Sequence, residues 1–481
     1  MRLIRPMAML LACAFLQPSV ASADEGLSAA LTAQLEHNRV RYGIAGQALL
    51  VIDDGRVVFC GVDGLADVGT GTPVAADHVF AGYSLSKLFV SVLVLQLVEQ
   101  GRVDLDTAVG TYVHGLPAHW RSIAVRDFLD HTSGVPEYFD PQHDDNAALE
   151  TSLPATLDAV WAALADRPLA FAPGTDIRYT QTNYLVLSAV LVAQYGMPYP
   201  RIVDERLLRP LRLRHTWLGR PQAPVQVVTR YTGRQGRLAE APDITWPDYA
   251  MGHAGLHITL DDLGRFLQAV NAGELVDRAV LRRAWQPRTL PDGRRGWFAG
   301  GWEQGRSGAY RLLGHDGGAQ VRVRIVFDEA QQDGGWIIAY LTNGSAKNVW
   351  SRTLVDGVMA RIAPERFPVE ALSESLQDVA LRVSEDGDVE AQAAAIRAST
   401  SLDDAALERA VNNAGYGIRE NFGTGPALRV FALNTVLFPA SANAWDSLAE
   451  THALAGDAAR AQQLYERART LASPGAPAVR Q

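Results

Sequence analysis

Lysine is nearly absent from this chain. Of 44 Lys and Arg residues only Lys87 and Lys347 are lysine, which leaves 42 arginines. Arginine keeps its proton in proteins, so any task that needs a neutral amine falls to one of two positions. Cysteine is equally scarce, with Cys13 and Cys60 alone. Long apolar runs are missing beyond the first residues, so no later segment reads as a transmembrane helix. Positive charge is in deficit too: the formal net charge is -9. That balance disfavours nucleic acid and anionic lipid as partners. What is present is ordinary for a globular protein, with 48% apolar and 20% charged residues. A chain of 481 residues predicts one to three domains and has enough surface to bury their cores without disulfides.

The first residues read as a secretory leader. Arg2 and Arg5 are followed by the apolar run Met7 to Leu16 and by Ala21-Ser22-Ala23 as a cleavage signal. Leu10-Leu11-Ala12-Cys13 loosely resembles a lipobox, and lipid anchoring at Cys13 is the lesser alternative. Cleavage after Ala23 removes two Arg and no acid, so the net charge goes from -9 to -11. The expected destination is secreted or periplasmic. Only Cys60 then remains, which excludes an intrachain disulfide. In the strand-like Val57-Val58-Phe59-Cys60 it reads as a small buried residue.

A helical pattern covers about Leu27 to Tyr42. Ala48 to Ile52 and Arg56 to Gly61 read as strands joined by the hairpin signal Asp53-Asp54-Gly55. Ser84 to Glu99 reads as a helix that is apolar all round, which only a central, buried position stabilises. About Asp104 to Leu275 reads as helices and loops. Strand patterns return at Arg311 to Leu313, Val321 to Phe327 and Trp336 to Leu341, before a closing helix at Asn348 to Ala363. Strands at both ends and helices between predict an α+β domain. One antiparallel sheet is built from both ends of residues 24–365, with a helical subdomain inserted.

Residues 366–403 read as a helical linker, and residues 404–475 as an all-α region of about two tetratricopeptide-like repeats. Gly415 and Ala449, Ala427 and Ala461, and Phe431 and Tyr465 are each 34 apart, with Gly456-Asp457 at a turn and Pro439 and Pro474 closing the units. Small residues there let paired helices approach, and the aromatics fill the gaps. Such a unit would offer a surface to a protein partner.

Chemistry concentrates at Tyr83-Ser84-Leu85-Ser86-Lys87. Three residues apart on a helix, Ser84 and Lys87 share one face. Ser84 then sits at the positive end of the helix dipole, and an apolar helix desolvates Lys87 and lowers its pKa, which suits a base. Lys347, with Gly344 three residues before it, forms no such pair. Asp140-Pro141-Gln142-His143-Asp144-Asp145 lacks helical ligand spacing and reads as a solvated loop rather than a metal site.

The Ser84–Lys87 motif resembles the first motif of the serine β-lactamase and penicillin-binding protein superfamily, in its class C and esterase-like branch. Phe128 to Pro136 resembles the branch's HTSG-L-P signature, Tyr179-Thr180-Gln181 its Tyr-x-Asn motif, and Gly314-His315-Asp316-Gly317-Gly318 its His-x-Gly motif. The resemblance covers about residues 27–365 and implies a β-lactamase/transpeptidase-like fold. Ser84 would be the nucleophile, Lys87 the base, Tyr179 a phenolate-like proton acceptor that later protonates the leaving group, and His315 a hydrogen-bond partner of substrate or of Tyr179. The N–H groups of Ser84 and Gly318 would bind the oxyanion. Gly317 and Gly318, lacking side chains, would let substrate lie close. His131 reads as part of a turn. Gln181 stands where the family usually has Asn, and His315 where β-lactamases have Lys. A neutral imidazole holds a carboxylate weakly, which argues for an esterase, amidase or D-amino-acid peptidase acting on a small or peptide-like acyl substrate, with no cofactor. The alternative is a sensor that captures a penicillin or peptidoglycan fragment without turnover and signals through the repeats.

Overall fold

The structure, a computed structural model, describes residues 23–139, 152–242, 244–330, 335–381 and 389–472. The predicted leader and the Asp140–Asp145 stretch lie outside these residues.

The strands are β1 (Gly46–Asp53), β2 (Arg56–Asp67), β3 (Thr72–Pro73), β4 (Phe80–Tyr83), β5 (Thr216–Leu218), β6 (Tyr231–Arg234), β7 (Arg237–Glu240), β8 (Leu256–Ile258), β9 (Phe298–Ala299), β10 (Trp302–Ser307), β11 (Tyr310–Gly317), β12 (Val321–Asp328) and β13 (Trp336–Thr342). Eight form one antiparallel sheet in the order β3-β2-β1-β13-β12-β11-β10-β9. The pairing of β1 with β13 joins the two ends of the domain, as the strand pattern predicts.

Continuous apolar strands need cover on both faces. In β1, Ala48, Leu50 and Ile52 enter one core while Leu49 and Val51 enter another. The first core is filled by helices α2 (Ser86–Glu99), α3 (Thr182–Tyr195) and α4 (Leu260–Ala272). On the second face lie α1 (Ala23–Tyr42) and α5 (Ser351–Ile362). Thr259 caps α4, accepting from the Asp262 N–H.

Two local expectations change. Cys60 is exposed, not buried. Side chains alternate along β2, so Phe59 turns into the core and Cys60 turns out near the sheet's edge. The stretch between Asp104 and Leu275 also holds strands. Short β8 lies between β4 and β5 in a second sheet, and three residues are too few to show a period of two.

After α5 come α6 (Pro368–Leu381), α7 (Val389–Ser399), α8 (Asp404–Phe422), α9 (Thr424–Leu437), α10 (Ala442–Leu454) and α11 (Ala458–Leu471). They have their own core, which includes Leu376, Val411, Phe431, Leu448 and Leu464. A Cβ at Gly415 would stand 2.6 Å from the Phe431 ring, so the absent side chain sets how closely α8 and α9 pack. Buried Ala449 stands 34 residues on.

These helices are fastened to the domain through α1 and α6. The Arg41 guanidinium lies 2.6 Å from Glu374, with both side chains almost fully buried, and Gln34 bonds the same carboxylate at 3.1 Å. The Tyr42 ring stacks on Phe422 at 5.4 Å. Arg41→Ala leaves the buried Glu374 carboxylate without its cation, with Gln34 still bonded to it, and is expected to destabilise the chain by about 3 kcal/mol. A fall of several degrees in the calorimetric midpoint checks this; an unchanged midpoint contradicts it.

Candidate active site

Ser84 stands at the junction of β4 and α2. Tyr83 takes a left-handed conformation (φ 46°), a costly choice for a non-glycine residue that turns the chain sharply before the helix. The Leu85 N–H bonds to Gly82 O at 2.9 Å, and the Ser86 hydroxyl bonds back to Tyr83 O at 2.6 Å. The helix therefore starts at Ser86 rather than at Ser84, which leaves Ser84 partly accessible on the turn. The Lys87 N–H still bonds to Ser84 O at 3.1 Å, so the two side chains stay on one face.

Lys87 has no exposed surface. Its Nζ lies 3.2 Å from Ser84 Oγ, 2.6 Å from Gln181 Oε1 and 2.8 Å from the carbonyl oxygen of His253. Burial drives its pKa well below the usual lysine value, against a smaller opposing pull from Glu137. The extra methylene of Gln181 does not cost the contact with Lys87.

Tyr179 donates its hydroxyl hydrogen to Ser84 Oγ at 3.0 Å. Burial raises its pKa above the ordinary phenol value; the Ser84 bond opposes this and the Glu137 charge adds to it. In this arrangement the hydroxyl points its proton at Ser84. His131, with its backbone at φ 58°, packs under that ring at 4.5 Å. Its Nδ1 accepts from the Thr180 N–H at 3.3 Å, which makes it part of the support for Tyr179 and agrees with its reading as a turn residue.

His315 is buried, and its ring lies 5.9 Å from that of Tyr179. Burial first, then Lys87, pushes its pKa down to about 3, so the imidazole is neutral. Nδ1 lies 2.6 Å from Asp316 O. A carbonyl can only accept, so Nδ1 carries the hydrogen and Nε2 is left as an acceptor, without a partner among the described residues. Asp316 stays ionised at a pKa of about 2; the Arg324 and Arg322 guanidiniums outweigh its burial.

The two glycines after His315 also serve the packing of the chain itself. A Cβ on Gly317 would stand 2.7 Å from Gly82 O, and one on Gly318 would stand 3.1 Å from the Tyr83 ring. Their missing side chains let β11 close against the end of β4. That contact brings the backbone of Gly318 beside the Ser84 turn.

The structure thus gathers Ser84, Lys87, Tyr179 and Gln181 within hydrogen-bond reach and places His315 and Gly318 at the same rim. Sequence reasoning missed Glu137 and His253. Glu137 accepts the Gln181 N–H at 2.8 Å and the Thr182 hydroxyl at 3.2 Å, and its pKa is raised by burial. It follows Pro136 directly, but no spacing rule marks it. His253 contributes a backbone carbonyl, which any residue could supply. Among the described residues no group of three or more His, Cys, Asp or Glu could hold a metal.

The sequence profile of the Beta-lactamase family matches residues 28–353. The chain belongs to the Beta-lactamase family. Within it, this chain is 28% identical over 293 residues to a D-aminopeptidase of Brucella anthropi, covering 60% of this chain and 55% of that protein. It is 27% identical over 353 residues to penicillin-binding protein 4 of Amycolatopsis lactamdurans, covering 69% and 89%. The chain therefore spans only about half the length of the D-aminopeptidase it matches. Among solved structures, EstCE1, a hydrolase with promiscuous acyltransferase activity, superposes with a TM-score of 0.58 at 19% identity, over 71% of this chain and 99% of that one. D-amino acid amidase from Ochrobactrum anthropi SV3 gives 0.57 at 21%, over the same shares. The β-lactamase-family fold accounts for the sheet and its helices, and the match ends within α5, before α6 to α11.

Proposed function

We propose that this protein is an exported serine hydrolase that cleaves an ester or amide through an acyl-enzyme on Ser84. The observation that carries the reading is the position of Ser84 Oγ between Lys87 Nζ and Tyr179 Oη. Gln181 Oε1 and His253 O only accept, so they take two hydrogens of Nζ. In a neutral amine the remaining direction, toward Ser84, holds the lone pair. The Ser84 hydroxyl gives its proton to that lone pair as Oγ bonds to the substrate carbonyl carbon. The N–H groups of Ser84 and Gly318 hold the oxyanion. As the bond to the leaving group breaks, the Tyr179 hydroxyl supplies the leaving group's proton, and Lys87 restores it. Water then attacks the acyl-enzyme and releases the acid.

Neutral His315 offers an acceptor where a fixed cation would grip a carboxylate. That favours substrates with a donor at this point, such as an amine or amide, over β-lactams. The similarity to a D-aminopeptidase points the same way. Similarity to a penicillin-binding protein supports a second reading, acylation by penicillin without release. The tetratricopeptide-like reading of α8 to α11, with a protein partner, stands beside both.

The purified chain is expected to turn over p-nitrophenyl acyl esters and D-amino-acid p-nitroanilides repeatedly, and to hydrolyse penicillins slowly. Rapid mixing with the ester is expected to release a burst of one p-nitrophenol per chain. Stoichiometric labelling by a fluorescent penicillin with no ester turnover would favour the second reading, and neither outcome would refute both.

A further inference from the structure

Lys87 owes its aim at Ser84 to two acceptors, Gln181 Oε1 and the His253 carbonyl oxygen, and both are held by one dipeptide. The Glu137 carboxylate accepts the Gln181 N–H at 2.8 Å, which fixes the peptide from which the Gln181 side chain reaches Lys87 Nζ. The hydroxyl of the next residue, Tyr138, lies 2.7 Å from His253 Nε2, so Tyr138 holds the residue that supplies the other acceptor. The same loop begins with His131, the support of Tyr179. Residues 131–138 therefore brace both proton-handling groups of the site.

Glu137 is held as a carboxylate. Its two oxygens accept from three donors: the Gln181 N–H, the Thr182 hydroxyl at 3.2 Å and the Tyr138 N–H at 3.0 Å. Such donors favour the charged form and pull against burial, and Lys87 pulls the same way. The other titratable groups around Lys87 offer it no matching charge. The rings of Tyr179 and Tyr184 lie 5.1 and 5.4 Å from Nζ. His131, His253 and His315 are kept neutral by burial first and then by Lys87 itself. Asp130 and Asp316 are engaged elsewhere, by the Gly300 N–H at 2.8 Å and by Arg322 and Arg324. Glu137 thus supplies the negative charge against which the Lys87 ammonium forms.

We infer that Glu137 is a positioning residue for acyl transfer, whose carboxylate aims the Lys87 amine at Ser84 by fixing Gln181. The inference rests on the reading of Ser84 as nucleophile and Lys87 as base, and it adds what sets that base. Position is set through Gln181, and proton affinity through charge. A carboxylate near the amine favours the ammonium, so Glu137 limits how far burial lowers the Lys87 pKa. Without that charge the amine loses its proton at lower pH, and without the bond to Gln181 it is no longer held toward Ser84.

The scarcity of lysine gives a direct readout. With lysine isotopically labelled at Cε, the full-length protein shows NMR signals from Lys87 and Lys347 alone, and Lys347→Arg assigns them. In Glu137→Gln the Lys87 signal is expected to titrate about one pH unit lower than in the wild type. In Glu137→Asp, which keeps the charge but shortens its reach by a methylene, the titration is expected to stay in place. The rate of the p-nitrophenol burst is expected to fall about tenfold or more in both variants. Burst amplitude counts competent chains, so a merely structural role lowers the amplitude and leaves the burst rate and the titration as in the wild type. That result overturns the inference, as does a Glu137→Asp loss that adds in full to the loss in Gln181→Ala, where no amide is left to aim. If Glu137→Gln does not fold, Glu137→Asp decides, and a wild-type burst rate there overturns the inference. The titration needs no turnover. A shifted Lys87 signal in a chain that releases no p-nitrophenol keeps the positioning and removes the proposed function; ester turnover with an unmoved signal does the reverse.

Discussion

Alanine at Ser84 is expected to lower kcat/KM for p-nitrophenyl acyl esters by roughly 10⁴-fold or more, the scale seen when a nucleophile is removed. Lys87 Nζ and Tyr179 Oη both reach Ser84 Oγ, at 3.2 and 3.0 Å. Ser86 does not replace it: its Oγ is held by Tyr83 O at 2.6 Å and by the Leu256 N–H at 3.0 Å. The variant is expected to fold normally, because Ser84 lies before the first residue of α2 and is partly accessible. Circular dichroism melts and ester kinetics on both proteins check this. Wild-type turnover in the variant at an unchanged melting point would remove Ser84 from the mechanism.

Arginine at Lys87 is expected to lower the same rate by about 10³-fold, within the range for losing a general base. The replacement keeps a long cationic-type side chain but one that cannot shed its proton, so the loss reports the missing neutral amine. Arginine does not give up its proton, whereas the buried lysine does so well below its usual pKa. In the wild type, kcat/KM is expected to rise with pH through that depressed pKa, as the amine becomes the base. The unfolded chain keeps Lys87 protonated up to about 10.4. Between the depressed value and that limit the unfolded state binds one more proton than the folded state. The Lys87 contribution to stability therefore rises with pH across that window and is lowest below the depressed value. A pH–rate profile with no acid limb, or an arginine variant with near wild-type activity, would rule out Lys87 as the base.

Arg41→Ala acts elsewhere, on the joint between α1 and α6, and is expected to change melting far more than chemistry. The three variants therefore separate nucleophile, base and scaffold. Ser84→Ala and Lys87→Arg move kcat/KM; Arg41→Ala moves the midpoint.

The sequence by itself determined what is local or periodic. Ser84 and Lys87 are three residues apart, so one turn of backbone brings them together. Ala48 to Ile52 is apolar at every position, so β1 had to be covered on both faces, and it is. Tertiary structure alone decided what depends on distant neighbours. The partners that orient Lys87 lie 94 and 166 residues away, and one is a backbone carbonyl with no side-chain signature. The Tyr179 pKa is raised by what surrounds it, and burial cannot be read from a residue's own letter. That Gly317 and Gly318 also let β11 approach Gly82 and Tyr83 is visible only in the fold.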